Sequence, residues 1–483
     1  MKHTRVALLL LATMMAGACQ PSGTAEPPSA SIEARVTRIE NALTPTFQIS
    51  GEPVDPASID ARLEVLGIPG VSIAFVADGE IAWARAYGMA DVADTREMTV
   101  NTLLLAGSIS KPVAALRALQ LVDSGTLDLD ENVNDYLTSW QVPDNDFTAT
   151  EKVTLRRLLN HTAGLTVWGF PGYDKGDAIP SVVDVLDGKG NTGPVRVYKE
   201  PGESWQYSGG GYTVMQLMIS DTEAPTSFVE TLDQHVLDPL GMAASTFENP
   251  LPESLWASAA TGYRFNGDEV EGKWPIYPEM AAAGLWTTPS ELIRYAIEVQ
   301  TILANKEDGV LAYQTVQDML DAPPGSHGLG PSLDEHTFGH GGADEGFRAQ
   351  LIAWKDSPHA LVVMVNSDNG SIIPEIVQAV ASEYDLPGYA PTVRTPITMS
   401  SEALTPYAGT YDIGRLGTVT FSVDGEQLKI TGAVLSEPMY LRPESVTAFF
   451  DVTDGELIEF ESENDQVTGF RTPRTVGVRI EKD

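Results

Sequence analysis

The chain reads as an α/β protein of the α+β kind: an antiparallel sheet flanked by helices, with an inserted all-helical region and a small C-terminal all-β domain. Three observations predict this. The runs GVSIAFVADGEIAWARAYG near the start and FRAQLIAW and ALVVMV much later have the residue types of strands. The stretch between them, from about Lys111 to Gly284, reads as helices and loops broken by DGKGNTG and YSGGGY. Beyond Leu404 lie the short alternating runs TVTFSV, QLKITG, TAFFDV, LIEFES and VGVRIE.

A chain of 483 residues exceeds one ordinary core, so a large domain plus a smaller one is expected. With 42% hydrophobic and 20% charged residues the composition is globular, and no run beyond the N-terminus approaches the length that spans a bilayer. The formal net charge is -37, and it becomes -39 without Lys2 and Arg5 of residues 1–18. Such a surface repels nucleic acid, and it reads as solubility, not as a cation site.

In order along the chain, Lys2 and Arg5 precede the apolar run Val6 to Ala12, and Ala16-Gly17-Ala18-Cys19 closes the segment with small residues. This is the pattern of an export signal over 1–18 and predicts a periplasmic or outer-membrane-anchored protein. Cys19, the only cysteine, resembles the lipid-modified cysteine of bacterial lipoproteins, the sole membrane contact expected; the alternative is simple cleavage after Ala-x-Ala. Neither leaves a partner for an internal disulfide. Residues 19–31 suit a flexible tether. Ile32, Val36, Ile39 and Leu43 then recur at helical spacing and open the large domain, 32–386, whose helical insertion covers about 112–284. Asp78-Gly79 joins two strand-like runs as a tight hairpin. A linker over 387–403, rich in proline, threonine and serine, leads to the β-domain, 404–483.

The strongest chemical signal is Ser108-Ile109-Ser110-Lys111, followed by Pro112 and VAALRALQLV, which is apolar nearly all round and therefore a buried helix. Proline is tolerated only in a helix's first turn, so Ser108 belongs at the helix mouth, near its unpaired N–H groups. Lys111 lies one turn on, on the face of the hydroxyl, where it can accept or relay the serine's proton. Alone, this match is no more than a helix cap with a surface lysine. Two later segments accompany it. Tyr207-Ser208-Gly209 lies in a glycine-rich loop before a helix, and His340-Gly341-Gly342-Ala343 opens a strand whose small residues let a substrate backbone lie alongside.

In this order and spacing the three segments resemble the active-site set of serine β-lactamases and penicillin-binding proteins, nearest to class C β-lactamases and their esterase and D-peptidase relatives. The resemblance spans roughly residues 50 to 385, with LRRLLNHTAGL around His161 and AAAGLWTTPSEL around Gly284 as further similar segments. It implies a β-lactamase/transpeptidase-like fold. It also implies Ser108 as the acylated serine, Lys111 as its lysine, Tyr207 as the tyrosine, and His340 to Gly342 as the Lys-Thr-Gly strand. The backbone N–H groups of Ser108 and Ala343 would form the oxyanion hole, and Gly209, Gly341 and Gly342 would contact substrate. The β-domain, with Tyr407-Ala408-Gly409-Thr410-Tyr411, looks like the lipocalin-like domain appended to such hydrolases.

Two positions depart from the pattern. Gly209 replaces the asparagine of Tyr-x-Asn, which removes an amide contact worth about 1 to 3 kcal/mol, and His340 replaces lysine. An unperturbed histidine is mostly neutral above about pH 7.5, so it offers a substrate carboxylate no fixed charge.

The resemblance therefore implies a two-step acyl transfer on small esters, D-amino-acid peptides or amides, with β-lactams a slow fourth. A D-alanyl-type carboxypeptidase and, from another class, a non-catalytic envelope binding protein are the alternatives. No metal or organic cofactor is implied, and oligomeric state is unmarked. His161 reads as part of a helix-ending turn, and His235, His327, His336 and His359 show no metal-ligand spacing. Ser367-Asp368-Asn369 follows His340 where a turn explains it, Lys429-Ile430-Thr431-Gly432 lies in the β-domain, and no Gly-x-Ser-x-Gly elbow occurs.

Overall fold

The computed structural model describes residues 31–480 except residue 465. The export segment and Cys19 lie outside the described residues. Helix α1 (Ile32–Glu40) buries Val36 and Ile39, and α2 (Ile59–Leu66) ends on Gly67 in the left-handed conformation. Strand β1 (Gly70–Ala77) turns into β2 (Glu80–Asp91) through Asp78 and Gly79 at φ 55° and 79°. Two successive left-handed residues are what a type I′ hairpin turn requires.

The helical part follows, chiefly α3 (Ser110–Asp123), α4 (Gly209–Glu223) and the short α5 (Met280–Ala283), which pack on one another. Helix α6 (Pro289–Asn305) then leads back to the sheet, which β3 (Thr337–Asp344), β4 (Phe347–Trp354) and β5 (Ala360–Val365) complete before α7 (Ile372–Glu383). The eight-stranded order is Arg96–Glu97, β2, β1, β5, β4, β3, Ser332–Leu333, Ser326–His327. β1 pairs antiparallel with β5, Val71 opposite Val365, so the sheet joins both ends of the large domain as the sequence predicts.

β1 is buried on both faces, which is why apolar residues fill nearly all of it, Ser72 being the exception. Val71, Ile73 and Phe75 pack with α1, α2 and α7. Ala74 and Val76 belong to the larger core shared with α3, α4 and α6.

At the C-terminal end eight strands close into a barrel. They run from β6 (Gly409–Asp412) through β7 (Thr418–Asp424), β8 (Gln427–Gly432), β9 (Met439–Pro443), β10 (Ala448–Asp451), β11 (Leu457–Glu463) and β12 (Gln466–Arg471) to β13 (Val476–Arg479). Tyr411, Phe421, Phe449, Phe460 and Phe470 meet edge to face in its centre, and side chains fill it. The segment expected as a plain linker does more than span a gap. Its Thr392–Arg394 forms a parallel ladder with Phe47–Ile49, and Phe47 packs on Phe450 of the barrel at 5.9 Å between ring centroids. Among the described residues, no helix is long and apolar enough to cross a membrane.

Candidate active site

Ser108 stands in a single 3-10 turn, Gly107–Ile109, that runs directly into α3. Two glycines let strand β3 press against that turn. A Cβ on Gly107, which sits at φ 55°, would lie 2.5 Å from the Ala343 amide nitrogen, and one on Gly342 would lie 2.1 Å from the Ala106 carbonyl oxygen. The Ala343 amide is thereby held beside the residue that precedes the serine. Ser110 locks the turn from the other side: its hydroxyl donates to the Gly107 carbonyl at 2.6 Å and accepts the Leu285 N–H at 3.0 Å.

Lys111 is only 2% exposed. Its ammonium donates to Ser108 Oγ at 2.9 Å and to the Ala282 carbonyl at 2.7 Å. That carbonyl belongs to α5, which Gln216 of α4 clamps by donating to the Pro278 carbonyl and accepting the Ala281 N–H, both at 3.0 Å. Neither Ser110 nor Gln216 was expected from the sequence; a buried Gln in an otherwise apolar helix face is the signal that could have marked it.

Tyr207 reaches the same place from the loop before α4. His161, left-handed at φ 62°, accepts the Gln206 N–H on its carbonyl at 2.8 Å and the Ser208 N–H on Nδ1 at 3.2 Å, which brackets the tyrosine. The two rings lie 4.3 Å apart, and the Lys111 nitrogen is 5.0 Å from the Tyr207 ring centre. The Asn-His-Thr-Ala-Gly turn is structural, as read from the sequence, and the structure adds what it supports.

Sequence spacing gave no reason to group histidines, yet His161, His327 and His340 converge, with one ring nitrogen of each within 4.8 Å of the others. Each ring has a buried nitrogen without a hydrogen-bond partner: Nε2 of His161, Nδ1 of His327 and Nε2 of His340. The tautomers decide whether this is a metal site. His340 donates Nδ1–H to the Gly341 carbonyl at 2.6 Å, which frees Nε2 as a lone pair. His161 does the opposite. Its Nδ1 accepts a backbone N–H, so the neutral ring carries its proton on Nε2 and offers a donor where a metal needs a lone pair. The donor set does not fit a three-histidine metal centre and reads instead as a polar cage around Tyr207.

Burial, then the Lys111 charge, pushes His340 down to about 3 and His327 to about 4; burial, then His327 and Lys111, takes His161 well below the usual range. This corrects the expectation that His340 titrates near neutrality: the ring is uncharged throughout the physiological range.

Two of the expected substrate glycines are packed against other parts of the protein. A side chain on Gly342 would point at the Ala106 carbonyl, so its absence is what lets the strand approach the nucleophile turn. Gly209 is buried against Phe170, whose ring would lie 3.0 Å from a Cβ. Gly341 alone is open, with only the Gln350 side chain 3.3 Å from its Cβ position. Ser108, Lys111, Tyr207 and Ala343 share a cleft of about 750 Å³. Its far rim is charged: Arg348 pairs with Asp368 at 3.0 Å and Arg264 with Glu345 at 2.7 Å. Asp368, read from the sequence as a turn residue, thus borders the cleft while tying β4 to the loop after β5. Asp344 follows the Ala343 amide with its Oδ2 buried and unpartnered, and burial pushes its carboxyl up to about 8. Glu279, fully buried just before α5, is pushed up to about 7 for the same reason.

Residues 57–376 match the protein family described as Beta-lactamase. Penicillin-binding protein 4* of Bacillus subtilis (strain 168) is 24% identical over 424 residues, covering 81% of this chain and 90% of that protein. D-aminopeptidase of Brucella anthropi is 27% identical over 321 residues, 63% of this chain and 57% of that protein, so the chain spans little more than half of that relative. The octameric penicillin-binding protein homologue from Pyrococcus abyssi has a TM-score of 0.60 at 20% identity, covering 87% of this chain and 98% of that one, a likeness of fold.

Proposed function

The chain belongs to the Beta-lactamase family and is a serine hydrolase, and from that premise we propose that it cleaves small esters and the amides or peptides of D-amino acids through an acyl-enzyme on Ser108. The observation that carries the proposal is the bond between the buried Lys111 ammonium and Ser108 Oγ at 2.9 Å, at the mouth of α3. Ser108 Oγ attacks the carbonyl carbon while its proton passes to the Tyr207 oxygen, which enters the step as a phenolate beside the Lys111 ammonium that holds Ser108 Oγ. The amides of Ser108 and Ala343 hold the developing oxyanion, and the proton is returned to the leaving group as the C–N or C–O bond breaks. Water then adds to the acyl-enzyme, its proton taking the same route, and the acid and free serine are released. The D-amino-acid class draws its support from the D-aminopeptidase relative. β-Lactams fit less well, since neutral His340 places no fixed charge opposite a carboxylate and Gly209 offers no side-chain amide.

A fluorophosphonate should add its phosphonyl mass to Ser108 of the wild type. Ser108→Ala should lose both the label and ester or amide turnover, by on the order of 10^5-fold, with its unfolding temperature unchanged. Turnover retained by a folded Ser108→Ala protein would remove the reading.

A further inference from the structure

The start of α4 holds the segment Thr166–Gly172 in an unusual backbone. Val167, a β-branched residue, stands at φ 63°, a left-handed conformation that persists only where its surroundings enforce it. The enforcing bonds are visible. The Gly209 N–H donates to the Trp168 carbonyl at 3.1 Å and the Gly210 N–H to the Val167 carbonyl at 2.9 Å. The Ser208 hydroxyl donates to the carbonyls of Thr166 and Val167 at 3.0 and 3.2 Å. Orphan amides at the first turn of α4 thus find their acceptors in this loop, and the loop is fixed before anything binds.

Two aromatic side chains reach the cleft as a result. Trp168 and Phe170 line the same cleft as Ser108, Lys111 and Tyr207, and Trp168 is 75% exposed. Phe170 closes on Gly209, where a Cβ would meet its ring at 3.0 Å and the Trp168 carbonyl at 3.2 Å. The ring therefore occupies the room a side chain at 209 would need, and this part of the cleft presents apolar surface in place of a polar group. An aromatic face left in water at the mouth of a reaction cleft gains by being covered, and the fixed backbone beneath it lessens the ordering that opposes the gain.

We propose that Trp168 and Phe170 form a subsite for an aromatic or branched apolar group on the acyl side of the scissile carbonyl, which makes the enzyme selective for substrates carrying that group. This rests on acyl transfer at Ser108. The acyl portion stays on the serine through both steps, so a wall in place beforehand orients it in each.

p-Nitrophenyl phenylacetate and p-nitrophenyl acetate share a leaving group, so the ratio of their kcat/KM reads the acyl side alone. The full-length wild type should favour the phenylacetate. Trp168→Ala and Phe170→Ala should each lower the ratio about ten-fold or more, chiefly through KM for the phenylacetate, while Trp168→Phe keeps most of it. Trp168 is exposed, so its replacement leaves the core intact even if Phe170→Ala loosens the loop. A ratio unmoved by Trp168→Ala, with Ser108 still labelled by a fluorophosphonate, overturns the subsite alone. A wild type that does not label overturns the acyl-transfer reading together with it.

Discussion

Around the Lys111 ammonium lie imidazoles and carboxyls that share one physical circumstance: each is buried, so each is held in its uncharged form. The consequences for stability have opposite signs. Asp344 and Glu279 have carboxyls raised to about 8 and about 7. Their folded values exceed the unfolded ones, so the stability they contribute is complete below about pH 4 and is lost as the pH rises through 7 and 8. His327 and His340 are lowered to about 4 and about 3. Their contribution is complete above about pH 6.5 and is lost as the pH falls toward 4 and 3. Each group changes the unfolding free energy by about 1 kcal/mol per pH unit inside its window. With His161, also held well below its ordinary range, three imidazoles outweigh the two carboxyls on the acid side, so thermal unfolding followed from about pH 4 to 9 should peak near pH 6 to 7. Because its window runs from about pH 4 to 8, Asp344→Asn should remove a decline across that whole interval, steepening the acid limb and flattening the alkaline limb most plainly between pH 7 and 8; an alkaline limb of unchanged slope would show that Asp344 is ionised in the folded protein. The same reasoning makes pH–rate profiles free of any inflection from His340 near its ordinary value.

Among the elements, the contact of β3 with the nucleophile turn sets the geometry most tightly. Gly342→Ala would place a Cβ 2.1 Å from the Ala106 carbonyl, and backbone on both sides leaves no flexible group to yield. The strand must shift, carrying the Ala343 amide away from Ser108. Loss of one oxyanion donor costs about 10^2 to 10^3 in kcat, and Gly342→Ala should fall in that range. Gly341→Ala, one residue earlier on the open side, should keep the stability of the wild type, since only the end of the Gln350 side chain approaches. Parallel measurements of kcat and unfolding temperature on the two variants separate these outcomes, and equal losses would mean that strand position does not depend on clearance at Gly342. The glycine pair was visible in the sequence as a place where backbone comes close. Which partner comes close was not, because in a strand successive residues face opposite sides and the register against Ala106 is a long-range property.

At the scale of the whole molecule three cores are present: one on each face of the sheet and one inside the barrel. The barrel is joined to the large domain through Phe47, whose ring meets Phe450 and closely approaches Gly455, and through the Arg442 to Glu52 ion pair. Phe47→Ala should destabilise that junction by about 2 kcal/mol, less than the 3–5 of a fully buried phenylalanine because the ring is only half-buried. Calorimetry should then resolve the barrel's transition from that of the large domain, whereas a single undivided transition with an unchanged midpoint would place the coupling elsewhere.

Local pattern alone determined the hairpin at Asp78-Gly79, the buried helix after Lys111, the ordered trio of segments around Ser108, Tyr207 and His340, and the run of short strands beyond Leu404. Each is written in neighbouring residues, through turn chemistry, periodicity or a proline's place in a first turn. Strands β6, β9 and β12 escaped that reading because they are short or broken by glycine and proline, and their pairing in the closed barrel defines them. Only the tertiary structure decided that His161, His327 and His340 surround Tyr207, that Ser110 and Gln216 brace the lysine's acceptor, and that Phe170 fills the space beside Gly209. Those are relations between segments distant in the chain. Burial and neighbouring charge, which move His340 far from its ordinary value, exist only once the segments have packed.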